Sequence, residues 1–441
     1  MRRLLGIAVG LIGAAALVGL AVWWPGGSPD IDQESLGFSD RVEATVVTSV
    51  TGPCAAADLD PTAEPTAGPV VDPSTASTGD PAAGDGAGPE CIVVTARLTT
   101  GAATGEAATL ETSTDFESPV SRLEAGDDIV LNDAGTGVPD EVRYSFADMQ
   151  RSTPLAVLAV AFAVVVVAFG RLRGLLALAG IVLSMGVLLV FIFPALLDGA
   201  APIGVALTGA TVIAFGTLYL AHGLNDRTTV ALLGTMASLG LTAALAVGFA
   251  AAAALSGLAS EESLTLLTFA PGLDFRGLLL AAVIIGTLGV LDDVTITQVA
   301  AVWELHRSDP VMGRRQLYGA GIRIGRDHIA STVNTLVLAY AAAALPLLLI
   351  YTQSSLAFGE VLITETVAVE IVQTLVGSIG LVASVPLTTA LACWVITRSA
   401  AAEGPEGNVR YESWDTREPV APQPRRRPRD RDEEFWANDP W

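Results

Sequence analysis

The chain contains no lysine; all 24 of its basic residues are arginine. A glycine-rich phosphate loop, which needs a lysine, is therefore missing. Histidine and cysteine are scarce, with three of each. His222, His306 and His328 show no ligand-pair spacing such as HExxH, so no metal is expected. No nucleophile elbow occurs, "GVLDDV" is not Gly-x-Gly-Asp, and no DxxD spacing follows it. Neither catalysis nor a cofactor is expected. Charge is sparse too: 16% of residues are charged, against about 25% in soluble domains. The formal charge of -22 leaves no basic face for phosphate, which excludes nucleic acid as a partner.

What fills the space is apolar, 51% of the chain. The carboxylates concentrate between Trp24 and Pro154, and the apolar half is nearly uncharged. A bilayer crossing needs about 20 apolar residues. The first candidate, Leu4–Trp24, opens on Arg2 and Arg3 and closes on two tryptophans, with no small-x-small cleavage site before Gly26; residues 1–24 read as a signal anchor. Seven further spans are expected in residues 153–397: Pro154–Gly170, Gly174–Leu197, Pro202–Ala221, Thr228–Leu255, Gly277–Gln298, Thr332–Tyr351 and Ile371–Ile396. The expected fold is a polytopic α-helical membrane protein of about eight transmembrane helices.

Arginine in short loops sets orientation. Arg171, Arg173, Arg227, Arg307, Arg314, Arg315, Arg323, Arg326 and the C-terminal tail alternate with loops holding Asp198, Glu261, Glu262, Asp274, Glu360 and Glu365. Only Arg276 breaks the pattern. Both termini are expected in the cytoplasm of a cell-membrane protein.

Residues 25–152 are then extracytoplasmic. Alternation at Arg41–Val50, Cys91–Leu98, Ala107–Ser113, Asp128–Asn132 and Glu141–Phe146 predicts five short strands, a small β-rich barrel of the OB-like kind. Residues 55–89 are acidic, Pro/Ala/Gly-rich and free of aromatics, and are expected to be a disordered insertion. Cys54 and Cys91 flank it, and a disulfide between them would staple its base. Cys393, within the last span, reads as a buried apolar residue. The Pro/Arg/acid-rich tail 398–441 is expected to be a solvated, disordered cytoplasmic segment.

Four stretches carry a family resemblance: "AHGLNDRTTVALLGT", "LSGLASEESLTLL", "GTLGVLDDVTITQVAAVWELH" and "YGAGIRIGRDHIASTVNTLVLAY". In this order the chain resembles the YibE/F-like family of bacterial membrane proteins. The likeness is strong from Tyr144 to Tyr351, looser in the last span, and only in outline in the outer domain. It implies several spans and a β-rich extracytoplasmic domain, and at most a role in transport. The insertion at 55–89 departs from the family's outline.

Polar residues within spans are the candidate site. Asp292 and Asp293 fall late in the sixth span, where a charge costs roughly 2.5–3.5 kcal/mol on insertion scales. Thr295 and Thr297 follow at helical spacing and Gln298 comes next. Alternatively the span ends at Leu291 and both carboxylates sit in the interface. On the seventh span Arg323, Asp327, Ser331 and Asn334 form one stripe, read either as a solute path or as helix-packing contacts. His222, Asn225 and Asp226 are expected to make the turn and cap into the fifth span.

Arg173–Val187 also aligns without gaps on Arg276–Val290, sharing Arg, Gly, Leu, Leu, Ala, Ile, Gly and Val. The copies would run in opposite directions, as an inverted repeat of spans two to four and five to seven requires. The expected function is a permease or secondary transporter of a small solute or ion, its path between spans six and seven, in a possible homo-oligomer. The alternative is a structural or regulatory membrane protein whose outer domain binds a partner.

Overall fold

The computed structural model describes residues 2–26, 40–53, 90–114, 118–135, 143–353 and 357–403. Cys54, the 55–89 insertion and the tail beyond Glu403 lie outside the described residues. The helices are α1 Arg2–Val22, α2 Ser152–Val187, α3 Phe193–Leu197, α4 Pro202–His222, α5 Asp226–Ala252, α6 Glu261–Phe269, α7 Phe275–Ser308, α8 Arg314–Ala343, α9 Leu345–Thr352, α10 Phe358–Ile363 and α11 Glu365–Glu403. A π-helical stretch, Leu188–Ile192, joins α2 to α3.

Six helical stretches are long and apolar enough to cross a membrane; counting the bent pair α8–α9 as one span makes seven. The difference from the eight expected has two physical sources. Ser152–Leu197 forms one continuous run, but Arg171 inside it holds φ 53° and ψ −131°. A Cβ at Gly174 would collide with the Val166 carbonyl. Eight residues of straight helix would separate them by about 12 Å, so the chain doubles back there. The expected seventh span, Thr332–Tyr351, breaks at Ala344 with a 63° bend, where Pro346 opens α9.

Caps set the helix starts. Asn225 accepts from Thr228 N at 3.0 Å to open α5, as expected, and Asp274 accepts from Gly277 N at 2.9 Å to open α7. The ends gather into two sets. Glu365 grips the turn after α5 through Ser256 N at 2.5 Å and Gly257 N at 3.0 Å. At this Glu365 end Gly26 N also donates to Asp198 Oδ2, at 2.9 Å. At the opposite, Asn225 end, Glu304 pairs with Arg227 at 3.6 Å and Arg307 at 3.0 Å.

Small residues let the helices approach closely. A Cβ on Gly234 of α5 would lie 2.5 Å from the Thr388 hydroxyl of α11, and one on Gly380 would overlap Thr242. Gly321 and Gly325 seat α8 against Gln298, Thr389 and Val385. Cys393 is buried in this apolar packing.

The sheet is antiparallel, in the order β3-β2-β1-β4-β5: β3 Ala107–Ser113, β2 Glu90–Leu98, β1 Asp40–Pro53, β4 Asp128–Asp133 and β5 Tyr144–Met149. Alternate residues Val42, Ala44 and Val46 of β1 are buried with Val94, Ala96 and Leu98 of β2 and Ile129 and Leu131 of β4, the period-two pattern of a one-faced core. The sheet curls until its edge strands β3 and β5 come into contact. Cys91 is disulfide-bonded; its predicted partner, Cys54, lies outside the described residues.

Arg143 clamps the β4–β5 hairpin by donating to both oxygens of Asp133, at 2.8 and 3.0 Å. That bidentate bond holds the Asp133 carboxyl below the usual carboxylate range, with a further bond from Gly135 N helping. Only Gln150 and Arg151 separate β5 from α2. Both are engaged: Gln150 N donates to Asp128 O at 2.8 Å, the Gln150 amide to Glu43, and Arg151 to Asp148 at 2.6 Å.

Candidate functional site

Asp292 lies halfway along α7, on the face turned toward α4 and α5. Thr217 of α4 donates to its Oδ2 at 3.1 Å, and Thr235 of α5 approaches Oδ1 at 3.5 Å. Thr235 and Thr295 are both fully buried, and their hydroxyls lie 2.6 Å apart. One carboxylate thus ties three helices together through hydroxyls.

The hydrogens are too few for these contacts. Thr217 also faces Ile213 O at 2.9 Å, Thr235 faces Ala231 O at 3.1 Å, and Thr295 faces Asp292 O at 3.1 Å. Three hydroxyls carry three hydrogens and face five acceptor oxygens, two of them on the Asp292 carboxylate and three on helical carbonyls. Among the described residues no arginine forms an ion pair with Asp292.

Below this cluster, toward the Asn225 end, Gln298 donates to Gly321 O of α8 at 2.9 Å and to Thr389 of α11 at 2.8 Å. Nearby, Pro386 interrupts the α11 hydrogen-bond ladder. Among the described residues the buried hydroxyls of Ser238, Ser378 and Thr388 have no hydrogen-bond partner. Clefts open at both ends of the bundle. At the Glu365 end a cleft of about 390 Å³ is lined by Ser260, Glu262, Phe275, Thr366 and Glu370. At the Asn225 end one of about 760 Å³ is lined by Asn225, Asp226, Arg227, Trp303 and Arg307.

The sequence candidates therefore divide. Asp292, Thr295 and Gln298 come together in the core; Asp293 and Thr297, about a quarter-turn or more away, are exposed. Thr297 bonds back to Asp293 O at 2.8 Å, a local bond of the kind helical threonines make. Arg323, Asp327, Ser331 and Asn334 all face outward. The groups that sequence reading missed are Thr217, Thr235 and Thr389, since helical spacing finds neighbours only within one helix. Hydroxyls recurring in the otherwise apolar fourth, fifth and last spans are the available signal.

The family model described as YibE/F-like protein matches residues 158–398, just over half the chain. No curated protein and no solved structure matches.

Proposed function

We propose that this chain, which belongs to the YibE/F-like family, is a permease of a small solute or ion with Asp292 in its path. The observation that carries the reading is a membrane-depth carboxylate held by hydroxyls alone, without a basic partner. Intramembrane carboxylates in such settings mark proton and ion pathways. Unpartnered hydroxyls along α5 and α11 extend the polar lining toward the two end clefts. The path then runs among α4, α5, α7 and α11 rather than along the outer face of α8.

The same reading counts eight spans, taking the chain reversal at Arg171 as the turn of a two-helix hairpin and α8–α9 as one broken span. It places the arginine-bearing Asn225 end in the cytoplasm and the Glu365 end outside. The copies Arg173–Val187 and Arg276–Val290 run oppositely between the two ends, which supports an inverted repeat. The strand order with β3 against β5, and the 3-10 turn Pro119–Arg122 between β3 and β4, support an OB-like outer barrel.

The test is flux through reconstituted vesicles carrying a trapped pH-sensitive dye, with sodium or rubidium uptake measured in parallel. Wild type should conduct or exchange one of these ions and Asp292→Asn should not. Equal, negligible flux from both proteins, with Asp292→Asn strongly destabilised, would instead favour a scaffold built around a structural polar core.

A further inference from the structure

The α8 stripe is polar in the wrong direction for a helix that touches only its own bundle. The Arg323, Asp327, Ser331 and Asn334 side chains are exposed, and among the described residues none of them makes a hydrogen bond or ion pair. Their depth follows from α7. Gly321 O meets Gln298 at 2.9 Å, and a Cβ on Gly325 would lie 2.9 Å from the same side chain. Further along, the Tyr340 hydroxyl would lie 3.6 Å from a Cβ on Gly286. Residues 325–340 of α8 therefore run alongside the stretch of α7 from Gln298 to Gly286, which includes Asp292. Asn334 is nine residues past Gly325, about 13 Å along the axis.

A primary amide facing lipid at that depth has donors and acceptors with nothing to bond. Beyond it the exposed surface turns apolar, at Val337 and Leu338, as lipid contact requires. We infer that the Arg323–Asp327–Ser331–Asn334 face is covered by the same face of a second copy of this chain. A two-fold axis along the membrane normal brings identical residues to identical depth. Asn334 then meets the partner's Asn334, and an amide pair satisfies itself because each member both donates and accepts. Ser331 does the same with its equivalent. Arg323 and Asp327 stand one turn apart, so each arginine can reach the partner's Asp327, giving two reciprocal ion pairs nearer the Asn225 end. The stripe is complementary to itself in charge and in hydrogen bonding. The chain's own charged C-terminal tail is a poor cover, because reaching Asn334 would bury its arginines and carboxylates in hydrocarbon.

Cysteine cross-linking in native membranes tests this. Asn334→Cys and Ser331→Cys, each combined with Cys393→Ala, should form covalent dimers under a mild copper oxidant. Leu158→Cys, exposed on α2, should not. Asn334→Leu should weaken the dimer about tenfold by native mass spectrometry and dilution, in line with interhelical polar contacts in model helices. Its monomer should keep the wild-type melting temperature. No dimer at 331 and 334, equal dimer at 158, or an unaltered dimer in Asn334→Leu would overturn the inference. So would a monomer carrying lipid or another polypeptide on this face. Flux through Asp292 is read separately, so either conclusion can fall without the other.

Discussion

Thr217 and Asp292, 75 residues apart in the chain, meet at 3.1 Å and join α4 to α7 by one hydrogen bond in the middle of the bundle. Its energetic character distinguishes a working site from a structural one. Asp292→Asn keeps the shape and leaves an acceptor for Thr217, so a path residue should tolerate it with little change in stability. A drop of about 1–3 kcal/mol would mean that the carboxylate holds the buried threonine hydroxyls in place. Thermal melts in detergent, run beside flux, give the answer.

Thr235→Val should behave differently. It is nearly isosteric, but it strips a hydroxyl from both Asp292 and Thr295 and leaves buried polar atoms short of partners. A loss of about 1–3 kcal/mol is expected, read as a lower melting temperature. Asp292→Asn combined with Thr235→Val should show non-additive losses, since the two side chains share one network.

Gly380→Ala probes the α5–α11 contact. The new methyl overlaps Thr242, whose branched side chain is fully buried and cannot swing away. The helices must part, costing about 1–3 kcal/mol. The double change Gly380→Ala with Thr242→Ala should recover part of that loss; no recovery would place the strain elsewhere.

The Asp133–Arg143 clamp makes part of the stability depend on pH. Asp133 titrates lower in the folded protein than its ordinary value near about 3.9. The unfolded chain therefore binds the proton more readily. The contribution is full above about pH 4 and fades as pH falls through the lower, folded value. The pair is worth up to about 1 kcal/mol. Asp133→Asn should lower the melting temperature at pH 7, and the gap to wild type should close on acidification. A gap that stays constant down to pH 3 would contradict the assignment.

Much of the helical frame was legible because hydrocarbon burial leaves a simple signature. The expected Pro202–Ala221 is Pro202–His222, and Thr228–Leu255 is Asp226–Ala252. The strands too were readable from alternation, the last shifted by three residues to Tyr144–Met149. What hydropathy could not supply is rotation about a helix axis. Asp292 and Asp293 differ by about 100°, and only packing against α4 and α5 decides which faces inward. The α8 stripe was readable as a stripe for the same reason, while its direction was not. The reversal at Arg171 falls in the break expected between Gly170 and Gly174, and those flanking glycines are its signal; that the positive φ falls on the arginine itself is set by its surroundings.

Gln150 and Arg151, the two residues between β5 and α2, are pinned to Asp128, Glu43 and Asp148. A connection without slack passes torque along instead of absorbing it. With both connecting residues held, the first turn of α2 has little freedom to reorient independently of β5.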